Sequence, residues 1–107
     1  MGGEYALVLS TLSGLEKAKE IARTLVQERL AACVNIVPGL ISIYRWEGRV
    51  EEDSEVLLLI KTKSELTEKL MKRLKEIHPY KVPEILTVDI DNGFKPYLDW
   101  INESVQM

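Results

Sequence analysis

The chain is poor in cysteine and histidine, the residues that most often build covalent and metal-bound frameworks. Its 107 residues include one of each, Cys33 and His78. A single cysteine excludes an intramolecular disulfide and any zinc site built from several thiolates. We therefore expect a protein that is held together by its hydrophobic core and resides in the cytoplasm, where thiols stay reduced.

Surplus positive charge and long apolar runs are also missing. The chain has 14 Lys and Arg against 17 Asp and Glu, a formal net charge of −3, which argues against a nucleic-acid partner because such proteins present a basic face. No apolar run approaches the length of a membrane span, and the first residues carry no cluster of positive charge, so neither a membrane partner nor a signal peptide is expected. Hydrophobic residues make up 46%, enough for one core, and we predict a single domain over residues 1–107.

Catalytic signatures are absent from the sequence as well. It contains no Ser–His–acid order, no phosphate-binding glycine loop, no dinucleotide fingerprint and no Cys-x-x-Cys pair. Because no nucleophile can be paired with a base, we predict that the protein is not an enzyme.

What the sequence does contain is an alternation of strand and helix patterns. Residues 5–11 are apolar on both faces, which predicts a central strand rather than an edge. The later elements are predicted from apolar periodicity and from turn residues. They are a helix that opens at Ser13–Gly14 and reaches Leu30, a strand over 32–46 bent at Pro38–Gly39, a turn at Glu47–Gly48, a strand over 49–62, a helix with Ser64 as its N-cap that stops at Pro79, a strand over 85–91 and a short C-terminal helix.

This β-α-β-β-α-β order predicts an α+β, ferredoxin-like sandwich with a long hairpin. In that fold both crossover helices cover the same face of the sheet. Because the first and third strands are apolar on both faces, the second face also needs a cover, and the short C-terminal helix is too small to supply all of it. We therefore predict a homo-oligomer, in which neighbouring subunits cover the remaining apolar surface and the long hairpin reaches a neighbouring subunit.

Several side chains are candidates for a binding role. His78 could ligate a metal or transfer a proton, although a histidine before Pro79 also suits the end of a helix. Cys33 lies among apolar residues and is expected to be a buried hydrophobe. The acidic run over 51–55 lacks the spacing of a calcium loop and is interpreted as a solvated flank of the hairpin. Aromatic residues near the hairpin tip, Trp46 above all, favour an interface or a ligand cleft.

Five sequence segments together resemble the CutA divalent-cation tolerance family. The match runs from about residue 7 to residue 105 in the same order and spacing. The segments are residues 29–35 (RLAACVN), 44–48 (YRWEG), 55–62 (EVLLLIKT), 78–85 (HPYKVPEI) and 97–100 (YLDW). In the third segment the resemblance lies in the first two residues, Glu55 and Val56, and the last two, Lys61 and Thr62. The resemblance implies a ferredoxin-like subunit in a homotrimer, located in the cytoplasm and linked to tolerance of heavy metals such as copper. It implies no fixed cofactor, and a divalent cation, copper or zinc, is the candidate ligand.

The family's copper site is matched only in part. It is ascribed to a cysteine at the end of the first strand, a histidine before the His-Pro pair and the glutamate of a Pro-Glu pair. Those positions hold Ser10, Ile77 and Glu84 here. Because the thiolate and the imidazole that favour copper are replaced, any site should be weaker, with Glu84 and His78 as its candidate donors.

A second hypothesis follows from the resemblance of the fold to the PII signalling trimers, which bind nucleotides between subunits. In that case a small anion or nucleotide would bind in clefts between subunits, because cationic groups suit a phosphate and aromatic rings suit a base. The residues predicted to line such a cleft or interface are Tyr44, Trp46, Lys61, Tyr80 and Trp100.

Overall fold

The computed structural model describes residues 3–106, so residues 1, 2 and 107 of the predicted domain lie outside the described residues. It contains four strands and three α-helices in the predicted order. Their bounds are β1 (Tyr5–Leu12), α1 (Leu15–Gln27), β2 (Cys33–Trp46), β3 (Arg49–Lys63), α2 (Thr67–Ile77), β4 (Leu86–Ile90) and α3 (Lys95–Ser104). The strands form one antiparallel sheet in the order β2-β3-β1-β4, which confirms the ferredoxin-like α+β prediction.

The core lies between one face of the sheet and the two crossover helices. Alternate residues of β1, such as Val8 and Leu12, are fully buried on this face, as are Leu58 and Ile60 of β3. They pack against the apolar stripes of α1 and α2, whose buried members recur at helical spacing. We call this the helix face. The antiparallel pairing of Leu12 with Val56 places the end of β1 beside the middle of β3.

The hairpin of β2 and β3 is the longest feature of the molecule. The two strands pair from Cys33↔Lys61 to Trp46↔Arg49, with a shift in register between Val37 and Leu40. A bulge accounts for this shift, as predicted. Gly39 within the bulge has a φ of 80°, a backbone conformation that glycine adopts with little strain because it has no Cβ. The turn residues Glu47 and Gly48 both have positive φ, the geometry that suits the right-handed twist of a tight hairpin.

Two helix boundaries differ from prediction. The first helix ends at Gln27, not Leu30, because Arg29 is left-handed (φ 60°) and folds Leu30 back onto the core. Ser64 is not the N-cap of α2. Its hydroxyl instead donates to the carbonyl of Gly3 at 2.6 Å, and it begins a short 3-10 helix that precedes α2. A long-range contact to the start of the chain therefore takes the place of the predicted local cap.

The second face of the sheet is only half covered, and we call it the open face. Ile101 of α3 and Val105, which directly follows that helix, are buried there against Ala32 and Leu66. Further along, three apolar side chains remain exposed, namely Val37, Leu86 and Val88. In the part of the chain that the structure describes, no helix is long and apolar enough to cross a membrane.

Candidate functional site

A cavity of about 510 Å³ opens where the hairpin leaves the body of the domain. Its wall is formed by the end of β1, the outer half of the hairpin and the segment that follows α2. The lining residues are Thr11, Ser13, Tyr44, Trp46, Asp53, Glu55, Tyr80, Lys81, Val82 and Glu84. This volume lies within the usual range of small-molecule sites in proteins.

The inner wall of the cavity is built around Glu55, whose side chain is buried. The hydroxyl of Tyr80 donates to Oε2 of Glu55 at 2.6 Å and accepts the backbone N–H of Ser13 at 2.8 Å. Burial, and then the hydrogen bond to the Glu55 carboxylate, raises the pKa of Tyr80. The phenol therefore stays protonated near neutral pH and acts as a lasting donor to Glu55.

His78 lies behind this wall and holds Tyr80 in place. Its Nδ1 accepts the backbone N–H of Tyr80 at 3.0 Å, so the ring proton is on Nε2, which lies 2.9 Å from the carbonyl oxygen of Thr11. The two rings meet edge to face with centroids 4.9 Å apart. Burial lowers the pKa of His78, outweighing the hydrogen bond to Thr11 and the charge of Glu55, which act the other way. The imidazole is therefore neutral, with both nitrogens engaged.

The outer wall is built on the hairpin. The hydroxyl of Tyr44 donates to Oδ2 of Asp53, and this bond raises the pKa of Tyr44 to about 12, with desolvation and nearby acids adding to it. The register places Leu40, Tyr44 and Trp46 on the same face of the hairpin as the odd-numbered residues of β3. Asp53 and Glu55 thus point to the same side, each held by one tyrosine hydroxyl.

Within one chain, the structure brings together three of the five residues predicted for a cleft or interface between subunits. Tyr44, Trp46 and Tyr80 line the cavity, together with the predicted metal donor Glu84, which is exposed. His78, the other predicted donor, is not part of the lining. Two predicted cleft residues, Lys61 and Trp100, lie elsewhere on the molecule.

Lys61 and Trp100 belong to the neighbourhood of the open face. The ammonium of Lys61 contacts Asn35 and lies 3.8 Å from Sγ of Cys33, which is half-buried. Trp100 stacks on Tyr97 within α3, with ring centroids 5.5 Å apart. Over residues 3–106, no group of three or more His, Cys, Asp or Glu side chains is arranged to hold a metal ion.

Sequence reasoning missed the residue at the centre of the inner wall. The acidic run over 51–55 was predicted to be solvated, which is wrong for Glu55, a side chain only 8% exposed. A signal for it was present, because Glu55 directly precedes the apolar run 56–60 that enters the core. Thr11 and Ser13 were missed as well, since the segment after α2 reaches them only in the folded chain. There His78 contacts the carbonyl of Thr11 and Tyr80 accepts the N–H of Ser13.

The chain is similar to known proteins in both sequence and structure. The family model described as CutA1 divalent ion tolerance protein matches residues 6–104. The divalent-cation tolerance protein CutA of Thermus thermophilus is 56% identical over 98 residues, which cover 92% of this chain and 95% of that protein. A solved Thermus thermophilus structure of that description superposes with a TM-score of 0.92 at 54% identity, covering 95% of this chain and 99% of the other.

A mammalian relative is longer. Protein CutA of Mus musculus is 45% identical over 101 residues, which cover 94% of this chain but only 57% of the mouse protein. The chain thus spans little more than half of that relative. Since the family model covers most of the chain, and the Thermus thermophilus relative matches it at nearly full length, the chain belongs to the CutA1 divalent ion tolerance family.

Proposed function

We propose that the protein serves in the tolerance of divalent heavy-metal ions such as copper, and that it does so as a cytosolic homotrimer. The membership of the family and the name of the Thermus thermophilus relative support a role in cation tolerance. The free thiol of Cys33 suits a reducing compartment. No catalytic role is proposed, in keeping with the names of the relatives.

The observation that carries the proposal of self-association is the open face of the sheet. Val37 lies on β2 at one edge of the sheet, and Leu86 and Val88 lie two residues apart on β4 at the other edge. All three are on the open face and at least two-fifths exposed. Apolar surface of this kind on a small soluble domain marks an interface, because leaving it in water costs about 25 cal/mol for each Å². The protruding hairpin offers a second contact surface to a neighbouring subunit.

For the metal itself, we propose weak binding in which Glu84 supplies a carboxylate oxygen at the mouth of the cavity. The positions of the family's other donors support a weak site here, since Ser10 is fully buried and Ile77 packs against the core. For the imidazole of His78 to contribute, one of its two hydrogen bonds must break. The main contribution is therefore assigned to Glu84.

Two measurements test this proposal. Sedimentation equilibrium gives the oligomeric mass, and three times the chain mass of 12.2 kDa is expected; a monomer at micromolar concentration would contradict it. Calorimetric titration with copper(II), and with zinc as the comparison ion, is expected to show weak binding that Glu84→Gln reduces. Equal affinity in the wild type and in Glu84→Gln would remove the role of this carboxylate.

A second candidate function is that of a sensor which binds a small anion or nucleotide. The cavity favours it in two respects, its volume of about 510 Å³ and the presence of Lys81 beside aromatic side chains. Its three acidic lining residues oppose an anion. A thermal-shift screen with nucleotides distinguishes the two functions, because a ligand of the native state raises the melting temperature. No shift at saturating concentration would count against the sensor.

A further inference from the structure

We propose that Asn92 is a site of spontaneous covalent modification, at which the side-chain amide is lost and the main chain comes to run through the side-chain carbon as an isoaspartyl linkage. The reaction uses water alone, so it goes beyond metal tolerance and does not depend on it. The argument rests on the Asn92–Gly93 pair, on one contact within that pair and on the attachment of α3, which begins just after it.

The two reacting groups lie beside each other in one dipeptide. The backbone N–H of Gly93 donates to Oδ1 of Asn92 at 2.9 Å, so its nitrogen lies close to the amide carbon Cγ, which is bonded to that oxygen. Asparagine side chains readily fold onto their own backbone in this way. Among residues 3–106 the Gly93 N–H makes no other hydrogen bond, and both residues are exposed outside any helix or strand. No regular element therefore has to open before they react.

Glycine at position 93 removes the steric obstacle to the reaction. The nitrogen has to turn towards Cγ, and a Cβ on the residue that carries it hinders this rotation, whereas glycine has none. The two other asparagines of the chain, Asn35 and Asn102, lie within β2 and α3, and a residue with a side chain follows each. Lysine ammonium groups hold both of their amide oxygens. Asn92 is therefore expected to react well before either of them.

The reaction proceeds in two balanced steps. Solvent base removes the Gly93 N–H proton, the nitrogen bonds to Cγ of Asn92, and the bond from Cγ to Nδ2 breaks, so that ammonia leaves and a five-membered succinimide remains. Water then opens this ring. Cleavage of the original peptide C–N bond gives isoaspartate, and cleavage of the new bond to Cγ gives aspartate. Because the attacking and attacked atoms are already neighbours, the first step pays little entropy for their encounter.

The pair lies at the end of the sheet opposite to the hairpin tip. β4 ends at Ile90, which pairs with Tyr5 at the start of β1, whereas the hairpin leaves the domain beyond the other end of that strand. The reacting atoms belong to one chain and to one dipeptide, so their proximity does not depend on what covers the open face.

The start of α3 depends on the segment that would be modified. This helix has no side-chain cap, and its first turn is tied to the carbonyl of Phe94, which accepts the N–H groups of Tyr97 and Leu98 at 3.0 and 3.1 Å. Gly93 packs so closely on Leu98 that a Cβ would lie 3.1 Å from its Cδ2. An isoaspartyl linkage adds one methylene to the main chain directly before these contacts, and close packing does not absorb such a shift. Modification is therefore expected to loosen α3 from the open face.

The test of the chemistry is storage of the protein at pH 8 in its native oligomeric state, in water enriched in oxygen-18, followed by peptide mapping with mass spectrometry. We expect Asn92 to convert at least about tenfold faster than Asn35 and Asn102, with one heavy oxygen incorporated and more isoaspartate than aspartate formed. Conversion should slow at pH 6, because the nitrogen must lose its proton. Equal rates at the three asparagines, or aspartate as the only product, would overturn the proposal.

Two variants identify the reacting atoms. Asn92→Gln keeps an amide but moves it one methylene further from the Gly93 nitrogen, and Gly93→Ala adds the Cβ that hinders the attack. Each is expected to slow the loss of ammonia at position 92 by about tenfold or more. The glutamine variant adds nothing near Leu98, so it holds the test even if the alanine variant disturbs that contact. An unchanged rate in Asn92→Gln would refute attack by the neighbouring nitrogen.

Hydrogen exchange tests the effect on α3. The isoaspartyl form, separated by ion exchange, is compared with Asn92→Asp, a matched control that has the same charge and an ordinary main chain. Amides of α3 should exchange severalfold faster in the isoaspartyl form, while those of α1 stay unchanged. Equal exchange of α3 in the two forms would overturn its loosening. These measurements contain no added metal, so they can fail without affecting the proposed role in metal tolerance.

Discussion

The phenol of Tyr80 donates a 2.6 Å hydrogen bond to Oε2 of Glu55, a residue that is only 8% exposed. The two residues are 25 positions apart in the chain and belong to β3 and to the segment after α2. The same phenol accepts the backbone N–H of Ser13 beyond β1. One side chain thus joins three segments at the inner wall of the cavity.

Replacement of this phenol is expected to destabilise the native state. Tyr80→Phe removes the donor of a buried carboxylate and the acceptor of a backbone N–H, so we expect the free energy of unfolding to fall by about 2 kcal/mol. Urea denaturation at one fixed protein concentration measures it. Tyr44→Phe is the matched control, since Tyr44 makes the same kind of bond to Asp53 while 40% exposed, and its loss of stability should be clearly smaller than that of Tyr80→Phe. Equal losses of stability in both variants would show that the burial of Glu55 does not increase the contribution of its hydrogen bond.

The only histidine makes stability depend on pH. Burial lowers the pKa of His78 in the native state below the ordinary value near 6.5, so the unfolded chain binds a proton more readily than the folded chain. Stability from this source is complete above pH 6.5 and is lost as the pH falls through that value towards the lowered native pKa. Melting temperatures between pH 8 and pH 5 should therefore decrease, and the decrease should be smaller in His78→Gln. A wild-type profile that is flat over this interval contradicts the assignment of a neutral ring.

Ser10 has the one buried side-chain polar atom that lacks a hydrogen-bond partner among the described residues. Ser10→Ala removes that hydroxyl without removing a bond, so stability should rise by about 1 kcal/mol. Thr62→Val is the contrasting variant, because the equally buried hydroxyl of Thr62 donates to the carbonyl of Leu30 at 2.7 Å. It should lower stability by about 1 kcal/mol or more. Chemical denaturation should therefore show a gain of stability in Ser10→Ala and a loss in Thr62→Val. A loss of stability in both variants would argue against an unpaired hydroxyl at Ser10.

The open face should control self-association. Val88→Lys places a charge on the open face at its β4 edge, where Val88 is 46% exposed, and is expected to lower the oligomeric mass towards that of a monomer. Val26→Lys is the control on α1, where the valine is 41% exposed on another surface. Light scattering coupled to gel filtration measures both. An unchanged mass for Val88→Lys would place the interface elsewhere.

The element order and the sheet could be predicted because they depend on local patterns. Apolar residues on both faces of β1 identified the central strand, and the Pro38–Gly39 pair marked the bulge that the register shows. The prediction for Ser64 was wrong because a serine hydroxyl bonds whichever acceptor the fold brings near, and here that is the carbonyl of Gly3.

Sequence patterns alone predicted the ferredoxin-like order of elements, the apolar second face and the concentration of aromatic residues near the hairpin. These features could be predicted because they depend on periodicity and composition, which are local properties of each short segment. The folded chain was needed to show that Glu55 is buried, that both nitrogens of His78 are hydrogen-bonded, and that Lys61 and Trp100 lie outside the cavity that Tyr80 lines. Those facts depend on contacts between residues distant in the chain, such as Ser13 with Tyr80, and the packing of the whole domain sets such contacts.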